Sequence, residues 1–321
     1  SPKAIAAMQA AAAEVWKYGD PENHDLKEAL ARHHGCSPAH IVVGPGIDGL
    51  LGLICRLTLA PGTPVVTSLG AYPTFAFHVA GHGGNLIRIP YRGAHEDAGA
   101  LLAGARAEGA RLLYLANPDN PMGSHHPGAV IEDLVANLPR DTLLILDEAY
   151  ADLAPEAAIP QIPADHPQVI RFRTFSKGYG MAGARVGYAI AEPSLALAFD
   201  KVRDHFGMGR ISQTGALAAL ADQDWLAGVK AGIAAGRERL AAIARANGLE
   251  PLPSATNFVT IDLGRDGDFA RKVLAEAQSR GLFIRMPGVA PLDRCLRISI
   301  GPETALDVVE EVLPLALKAA G

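Results

Sequence analysis

The sequence predicts an α/β protein with a doubly wound, mostly parallel sheet and a second, smaller α/β domain near the C-terminus. Five apolar runs of strand length are continuous rather than alternating, which is typical of strands buried on both faces. They are residues 64–68, 86–90, 112–116, 143–146 and 169–172. Helical stretches separate these runs and complete β-α units. After Gly248 the composition changes to a smaller set of strands and helices.

Length and composition exclude several classes of protein. A chain of 321 residues allows one large or two ordinary domains. A net charge of −5 without a basic stripe argues against nucleic acid as a partner. No apolar run reaches the ~18 residues of a membrane span, so we expect no membrane partner. Three widely spaced cysteines, without any C-x-x-C pair, indicate reduced thiols in the cytoplasm and no metal site.

The first elements precede the five buried strands. Residues 3–17 are rich in alanine and predict a helix that ends at the turn Tyr18-Gly19-Asp20-Pro21. A second helix is predicted over residues 25–34, where Gly35 ends it, and a short buried strand follows over residues 41–43.

A glycine-rich turn follows this short strand and opens a helix that we expect to reach about Leu59. Its sequence, Gly44-Pro45-Gly46-Ile47-Asp48-Gly49, has the G-x-G-x-x-G spacing of dinucleotide-binding turns. The next strand has no acid at its end to hold a ribose, so a NAD-dependent dehydrogenase is only a distant alternative. The amino end of such a helix can still bind a phosphate group.

Beyond a further strand at residues 186–190, the chain is predicted to be mostly helical and then to form the small domain. The helices are predicted at residues 193–205, 211–222, 225–247, 268–280 and 302–319. The small-domain strands are predicted at residues 258–263, 282–285 and 296–300. We therefore expect a large domain over residues 39–245 and a small domain formed by residues 1–38 and 246–321.

The most informative stretch runs from Arg173 to Tyr188, where one strand breaks into a glycine-rich turn and a second strand begins. Lys177 lies at the break, and a lysine in a partly desolvated turn can lose its proton and attack a carbonyl group. Ser176 and Arg185 flank it and could both bind a phosphate dianion.

This stretch resembles the lysine segment of the pyridoxal-phosphate (PLP) aminotransferases of classes I and II, whose pattern is R-T-F-S-K-x-x-x-L-A-G-x-R-x-G-Y. The resemblance is strongest to the histidinol-phosphate aminotransferase branch and implies fold type I. It further implies that Lys177 binds PLP covalently, with Thr174, Ser176 and Arg185 around it. The turn at Gly46, Ile47 and Asp48 matches the family's G-S/A-D-E turn, whose amides hold the PLP phosphate. The family usually has an arm before Ser1-Pro2, so we expect part of that arm to be absent here.

Further motifs carry the same resemblance and imply roles for more residues. Asn120, in a match to N-P-x-N-P-T-G, and Tyr150 would donate to the phenolate oxygen of PLP. Asp147, in the match to D-E-A-Y, would pair with the pyridinium nitrogen, and Tyr72 would stack on the ring. Tyr18 resembles the residue that reaches the PLP phosphate of the neighbouring subunit, which implies a homodimer with a shared active site.

Three positions near the C-terminus match the substrate contacts of the family. Arg297, within the match to L-R-I-S/T-I/V-G, would bind the substrate α-carboxylate. Arg285 matches an arginine associated with a distal anion, and Asn257 matches a position in the substrate pocket.

The function implied is a PLP-dependent aminotransferase in which Lys177, Asp147 and Tyr150 are the catalytic residues. It would transfer an amino group between histidinol phosphate or an aromatic amino acid and a 2-oxo acid. Residues 205–210 depart from the histidinol-phosphate enzymes' P-F/Y-N pattern, which leaves the exact donor open. A PLP-dependent decarboxylase of the threonine-phosphate type is the alternative on this scaffold.

Overall fold

The computed structural model describes all 321 residues and contains a seven-stranded sheet in the large domain. Its strands are β1 Ile41–Gly44, β2 Pro64–Ser68, β3 Asn85–Ile89, β4 Leu112–Ala116, β5 Leu143–Asp147, β6 Val169–Thr174 and β7 Gly187–Ile190. They lie in the order β1-β7-β6-β5-β4-β2-β3, and only β7 runs antiparallel to its neighbours. The predicted doubly wound, mostly parallel sheet is confirmed.

Helices cover both faces of this sheet. The large-domain helices are α1 Pro2–Ala12, α2 His24–His34, α3 Gly46–Thr58, α4 Pro73–Gly81, α5 Ala98–Glu108, α6 Gly128–Ala136, α7 Pro193–Ala198, α8 Arg210–Leu220 and α9 Gln223–Ala246. One face packs Leu50 of α3 and Phe75 of α4 against the sheet, and the other packs Leu101 of α5 and Ile131 of α6. None of the helices combines the length and the apolar character needed to cross a membrane.

The C-terminal unit is a small antiparallel sheet covered by helices. It contains β8 Glu250–Pro251, β9 Phe258–Asp262, α10 Gly267–Ser279, β10 Cys295–Ser299 and α11 Glu303–Ala320. The C-terminal part of α9 packs into this core through Leu240 and Ile243, while Leu226 near its start packs against the large domain. A single helix thus connects the two cores.

The structure shortens the helix predicted at residues 193–205 to Pro193–Ala198 and corrects two further elements. Residues 282–285 do not form a strand, because only Arg285 pairs with Arg297 and Pro287 has no N–H to extend the ladder. Their alternation persists, since Leu282 and Ile284 are buried in the small-domain core. The first helix ends at Ala12 rather than at residue 17, because residues 13–17 have no buried side chain to support another turn.

The N-terminal segment packs on the large domain rather than on the small one, contrary to the predicted division. Ala4 of α1 and Leu30 of α2 belong to a core that also contains Phe175 and Tyr188 of the large domain. Lys3 forms an ion pair with Asp222, the residue immediately before α9. The expected assignment of residues 1–38 to the small domain therefore does not match their contacts.

Candidate active site

A cavity of about 140 Å³ lies where β4, β5 and β6 end, at the carboxyl edge of the large sheet. Doubly wound folds bind their ligands at this edge. Ten of the twelve predicted cofactor ligands line the cavity: Ile47, Asp48, Tyr72, Asn120, Asp147, Tyr150, Thr174, Ser176, Lys177 and Arg185. Gly46 lies just behind the wall, and Tyr18 lies away from it.

Asp147 is buried at the floor of this cavity, at the last position of β5. Its carboxylate accepts hydrogen bonds from the Tyr114 hydroxyl at 2.7 Å and from the Ala149 N–H at 2.9 Å. Burial raises the pKa of Asp147 to about 6, although these two hydrogen bonds and the charge of Lys177 oppose the change. The side chain therefore holds a negative charge at neutral pH, at a considerable desolvation cost.

Lys177 follows β6 and shares the cavity with Asp147. Its Nζ lies 5.1 Å from the centroid of the Tyr150 ring. Burial lowers the pKa of Lys177 below its ordinary value, and the charge of Arg297 acts in the same direction, whereas Asp147 raises it. A lysine of this kind supplies a neutral amine more readily than one in water. Burial also raises the pKa of Tyr150, which keeps its hydroxyl protonated.

Donors for an anion gather at the amino end of α3. No side chain caps this helix, so the first-turn N–H groups of Ile47 and Asp48 remain available. The guanidinium of Arg185 lies 3.8 Å from the Asp48 carboxylate, and the Tyr72 hydroxyl donates to the same carboxylate at 3.3 Å. Ser176 also lines the cavity, and the Thr174 hydroxyl donates to its hydroxyl oxygen at 2.9 Å.

The backbone at the amino end of α3 packs so closely against its neighbours that glycine there cannot carry a side chain. Gly46 has φ +79°, and a Cβ there would lie 2.4 Å from Nη2 of Arg185. A Cβ on Gly187 would lie 2.7 Å from the backbone nitrogen of Ile47. Arg185 itself adopts φ +55°, a left-handed conformation that costs a non-glycine residue about 1 kcal/mol or more. Such strain is typical of functional positions.

The predicted substrate arginines lie side by side next to the cavity. The backbones of Arg285 and Arg297 exchange hydrogen bonds of 3.1 and 2.7 Å. Arg297 is half-buried over the Phe258 ring and donates through Nη1 to the side-chain oxygen of Asn120, which lines the cavity. Burial lowers the pKa of Arg297, the nearby Tyr150 raises it, and the charge of Arg285 lowers it further. The Arg285 side chain is exposed and packs on the Phe283 ring.

Two predicted residues take no part in this cavity. Tyr18 is 79% exposed and packs against Phe206, with ring centroids 4.7 Å apart and the rings tilted by 45°. Asn257 lies outside the cavity lining, where its backbone oxygen accepts a hydrogen bond from the N–H of Ile300 at 2.8 Å.

Tyr114 was missed by the sequence reasoning, although it lines the cavity and binds Asp147. The sequence feature that could have indicated it is a hydroxyl-bearing side chain in the middle of the apolar run Leu112–Ala116. A buried tyrosine hydroxyl requires a hydrogen-bond partner. Asp147, at the end of the neighbouring strand β5, is the nearest polar side chain that could accept this hydrogen bond.

The residues fit the PLP that the resemblance implies. An uncapped helix end, a hydroxyl and a guanidinium suit a phosphate dianion, and Gly46 leaves the space that a Cβ would fill. Asp147 is buried and forms no direct ion pair within the chain. The protonated ring nitrogen of PLP would supply the counter-charge that its carboxylate lacks. The two ends of the cavity thus match the two charged ends of PLP.

The comparison with protein families decides which family this is. The model described as "Aminotransferase class I and II" matches residues 1–313. The chain belongs to the class I and II aminotransferases. The match covers both cores and the whole lysine stretch, so it includes every predicted site residue.

Named relatives of this aminotransferase come mainly from one branch of the family. Histidinol-phosphate aminotransferase 2 of Ralstonia nicotianae is 35% identical over 298 residues, which cover 92% of this chain and 79% of the relative. A crystal structure of histidinol-phosphate aminotransferase from Sinorhizobium meliloti in complex with pyridoxal-5'-phosphate has 54% identity and a TM-score of 0.98. The alignment covers 100% of this chain and 88% of that one. Aspartate aminotransferase of Thermus thermophilus, at 22% identity and a TM-score of 0.83, shares the fold.

These findings confirm the predicted family, the type I fold and the enzyme class, a PLP-dependent transaminase. The distant dehydrogenase alternative falls away, because the glycine-rich turn has its place in this family's fold. The roles of the individual residues remain predictions.

Proposed function

We propose that this aminotransferase transfers the amino group of histidinol phosphate to a 2-oxo acid, with PLP as its cofactor. The observation that carries the proposal is one cavity that contains Lys177 and Asp147, with Arg285 and Arg297 paired beside it. The resemblance of the chain to enzymes named for histidinol phosphate supports the choice of donor.

Each end of the cavity has residues that would hold PLP. The amides of Ile47 and Asp48, the Ser176 hydroxyl and the Arg185 guanidinium would bind its phosphate. Asp147 would pair with its ring nitrogen and keep that nitrogen protonated. When bound, PLP withdraws the electron pair that remains on the donor Cα after its proton has been removed.

Lys177 is the residue that moves the proton. Its lowered pKa favours the neutral amine, so Nζ would take the proton from the donor Cα as a base and would then, as an acid, deliver it to C4′ of the cofactor instead of back to Cα. Tyr150 lies beside Nζ and keeps its hydroxyl proton, which makes it a donor to an oxygen rather than a base. The buried walls around both side chains limit the access of water.

The two arginines would distinguish between donors. Histidinol phosphate has a phosphate ester where an amino acid has its α-carboxylate, and a dianion with three free oxygens is bound best by more than one guanidinium. Arg297 can bind either group, and Arg285 adds a second cation beside it. An aromatic amino acid would use Arg297 alone.

The donor can be tested by single-turnover absorbance on PLP-loaded enzyme with histidinol phosphate, phenylalanine, tyrosine, aspartate and threonine phosphate. We expect the fastest change in the absorbance of bound PLP with histidinol phosphate, together with a keto product and no carbon dioxide. Carbon dioxide release would indicate the decarboxylase alternative, and a faster reaction with an aromatic donor would contradict the proposed substrate.

Two variants sharpen this experiment. Lys177→Ala should abolish turnover with every donor, and full activity in this variant would refute the proposed role of the lysine. Arg285→Ala should lower kcat/KM for histidinol phosphate by about 10- to 100-fold, as expected for a lost charge-assisted contact. It should affect phenylalanine little, so an equal loss for both donors would contradict the assignment.

We further infer that two copies of the chain form a homodimer with shared active sites. Apolar side chains near the N-terminus are exposed to solvent in the single chain: Val15 by 62%, Trp16 and Tyr18 by 79% each, and the neighbouring Phe206 by 53%. Clustered exposed aromatic residues are typical of protein interfaces. Tyr18 lies outside the cavity of its own chain, so its side chain is free to serve the partner's cavity.

Subunit mixing tests this arrangement. Tyr18→Ala and Lys177→Ala proteins should each be weakly active or inactive. A hybrid dimer then contains one complete site, formed by the intact Lys177 of one subunit and the intact Tyr18 of the other. Recovery of activity on mixing is expected, whereas no recovery in verified hybrids would place Tyr18 outside the partner's site.

We also place the enzyme in the cytoplasm. Its three cysteines, Cys36, Cys55 and Cys295, are all unpaired. Burial raises the pKa of each thiol, which keeps them protonated and unreactive. Free, protonated thiols are usual in proteins of a reducing compartment.

A further inference from the structure

Arg173 begins the stretch that contains Lys177, yet its side chain does not line the cavity. It lies next to the end of β6 and is buried. Successive side chains of a strand point to opposite faces, so Thr174 lines the cavity and Arg173 does not. Asp147 and Glu148 alternate in the same way where β5 ends, and Glu148 is the buried residue that does not line the cavity. Two neighbouring strand ends thus each place a charged side chain on the face of the sheet away from the cavity.

The guanidinium of Arg173 binds two carboxylates that flank Tyr150 in the chain. Its Nε donates to Oε2 of Glu148 at 2.8 Å, and its Nη1 donates to Oδ1 of Asp152 at 3.5 Å. The side chains of the two acids are 1% and 12% exposed, so water and salt screen these ion pairs little. One side chain of β6 therefore holds the chain on both sides of Tyr150.

The same contacts reach the turn that contains Lys177. A Cβ on Gly178 would lie 3.3 Å from Cβ of Asp152, so Asp152 packs directly against the residue after the lysine. The N–H of Glu148 donates to the backbone oxygen of Phe172 at 2.8 Å, which continues the pairing of the two strands beyond Asp147. The segment with Tyr150 and the segment with Lys177 are thus tied to each other through buried polar contacts.

Arg171 is a second cation in this cluster, but it contacts only one of the two acids. Its Nη2 and Nε donate to Glu148 at 2.9 and 3.1 Å, and it forms no ion pair with Asp152. The two histidines that end α2 lie nearby, and burial lowers the pKa of both, so they are neutral at neutral pH. Glu148 therefore keeps a cation when either arginine is altered, whereas Asp152 depends on Arg173 for its ion pair.

We propose that Arg173 is a positioning residue for transamination, which holds Tyr150 in place relative to Lys177 through Glu148 and Asp152. The inference rests on the proposed roles of Tyr150 and Lys177 but not on the identity of the donor. Because Arg173 touches neither the cavity nor the substrate arginines, its loss should slow the reaction without weakening the binding of the donor.

A matched pair of variants that keep the charge, Arg173→Lys and Arg171→Lys, tests this role. Both keep a cation beside Glu148, but an ammonium group lacks the fork that spans two carboxylates. With the fastest donor, Arg173→Lys should lose about 10- to 100-fold in kcat while KM changes less than about 3-fold. Arg171→Lys should keep kcat within about 3-fold of the wild type. Equal losses of kcat in the two variants would show that any change in this cluster disturbs the site, and the inference would fail.

Removing the second carboxylate tests the same link from its other end. Asp152→Ala should lose as much kcat as Arg173→Lys, and the double variant should lose little more than either single one, because both changes break one contact. Asp152→Asn, which keeps an acceptor oxygen, should recover most of the loss. Full activity of Asp152→Ala, or losses that multiply in the double variant, would overturn the inference, and Asp152→Ala alone decides it if Arg173→Lys does not fold.

The reactivity of Lys177 in the cofactor-free protein supplies a readout that needs neither PLP nor donor. The pKa of its amine follows from the pH dependence of its acylation by acetic anhydride, measured by mass spectrometry of the peptide that contains it. Burial lowers this pKa in the wild type. In Arg173→Lys the pKa should rise towards that of an ordinary lysine, because a loosened turn admits water, and in Arg171→Lys it should not change.

This readout separates the inference from the proposed function. An unchanged pKa of Lys177 in Arg173→Lys would overturn the inference whatever the donor is. The expected rise, in an enzyme that proves not to use histidinol phosphate, would support the inference and refute only the proposed donor.

Discussion

Replacing Tyr114 by phenylalanine removes one hydrogen bond from Asp147 and leaves the packing in place. The ring of Tyr114 stacks on Phe75 with centroids 4.7 Å apart, and a phenylalanine keeps this contact. A hydrogen bond to a charged group contributes about 1.5–3 kcal/mol, and one pKa unit corresponds to about 1.4 kcal/mol. The pKa of Asp147, about 6 in the wild type, should therefore rise by roughly 1–2 units.

The consequence can be measured as the pH dependence of PLP binding to the cofactor-free protein. Only ionised Asp147 can pair with a protonated ring nitrogen. The dissociation constant of Tyr114→Phe should be ~10- to 100-fold above that of the wild type at about pH 5 and equal to it at about pH 9. The ionisations of PLP are the same in both measurements and cancel in this ratio.

The matched control is Tyr188→Phe, which also loses a buried hydroxyl. That hydroxyl lies 2.9 Å from the His34 ring nitrogen, outside the cavity. For this control, the ratio of the PLP dissociation constant of the variant to that of the wild type should not vary with pH. A pH-independent ratio for Tyr114→Phe itself would show that Tyr114 does not stabilise the charge of Asp147, and the reasoning would fail.

Three further predictions follow from the same contacts. Asp147→Asn should abolish turnover but raise the free energy of unfolding of the cofactor-free protein by up to ~3 kcal/mol at about pH 8, measured by urea unfolding. The variant should be more stable because the pKa of Asp147 is about 6 in the folded protein and 3.8 in the unfolded one, so ionised Asp147 destabilises the fold as pH rises from about 4 to above 6. Near pH 4 the wild-type residue is protonated in the fold, and the stability gained by the variant should vanish. Arg297→Lys should raise KM for the donor about 10-fold or more with a smaller change in kcat, because lysine lacks the two-pronged contact. Gly46→Ala should weaken PLP binding roughly 10-fold, because its Cβ would displace Arg185, whereas Gly81→Ala, with nothing within 4 Å of the added atom, should bind normally.

The site could be located from the sequence largely because its residues follow strand ends. Asp147 ends β5, and Lys177 lies three residues beyond the end of β6, so apolar runs in the sequence already mark both positions. Asn120 follows β4 at a similar distance. Parallel strands bring their carboxyl ends to one edge, which unites residues that are far apart in the chain.

Other features depend on contacts that no local pattern encodes. The predicted strand at residues 282–285 has the correct alternation, but its hydrogen-bond partners are decided by the path of β10. The same is true of α1, whose alanines fit either domain and are placed by packing against α8. Glu96 precedes α5 and could be taken for a helix-capping acid. Its hydrogen-bond partners, Ser68 and the N–H of Ala116, become visible only in the folded chain.

The cost of burying Asp147 indicates how cofactor binding and stability are linked in this enzyme. The buried carboxylate of Asp147 has no direct ion pair in the free protein, so its burial costs most in the absence of PLP, and a protonated ring nitrogen would remove most of that cost. Tyr114 reduces the cost by one hydrogen bond. The energy gained when PLP enters should therefore appear as a rise in Tm that is larger at about pH 8 than at about pH 5, since only the ionised carboxylate has a cost to recover.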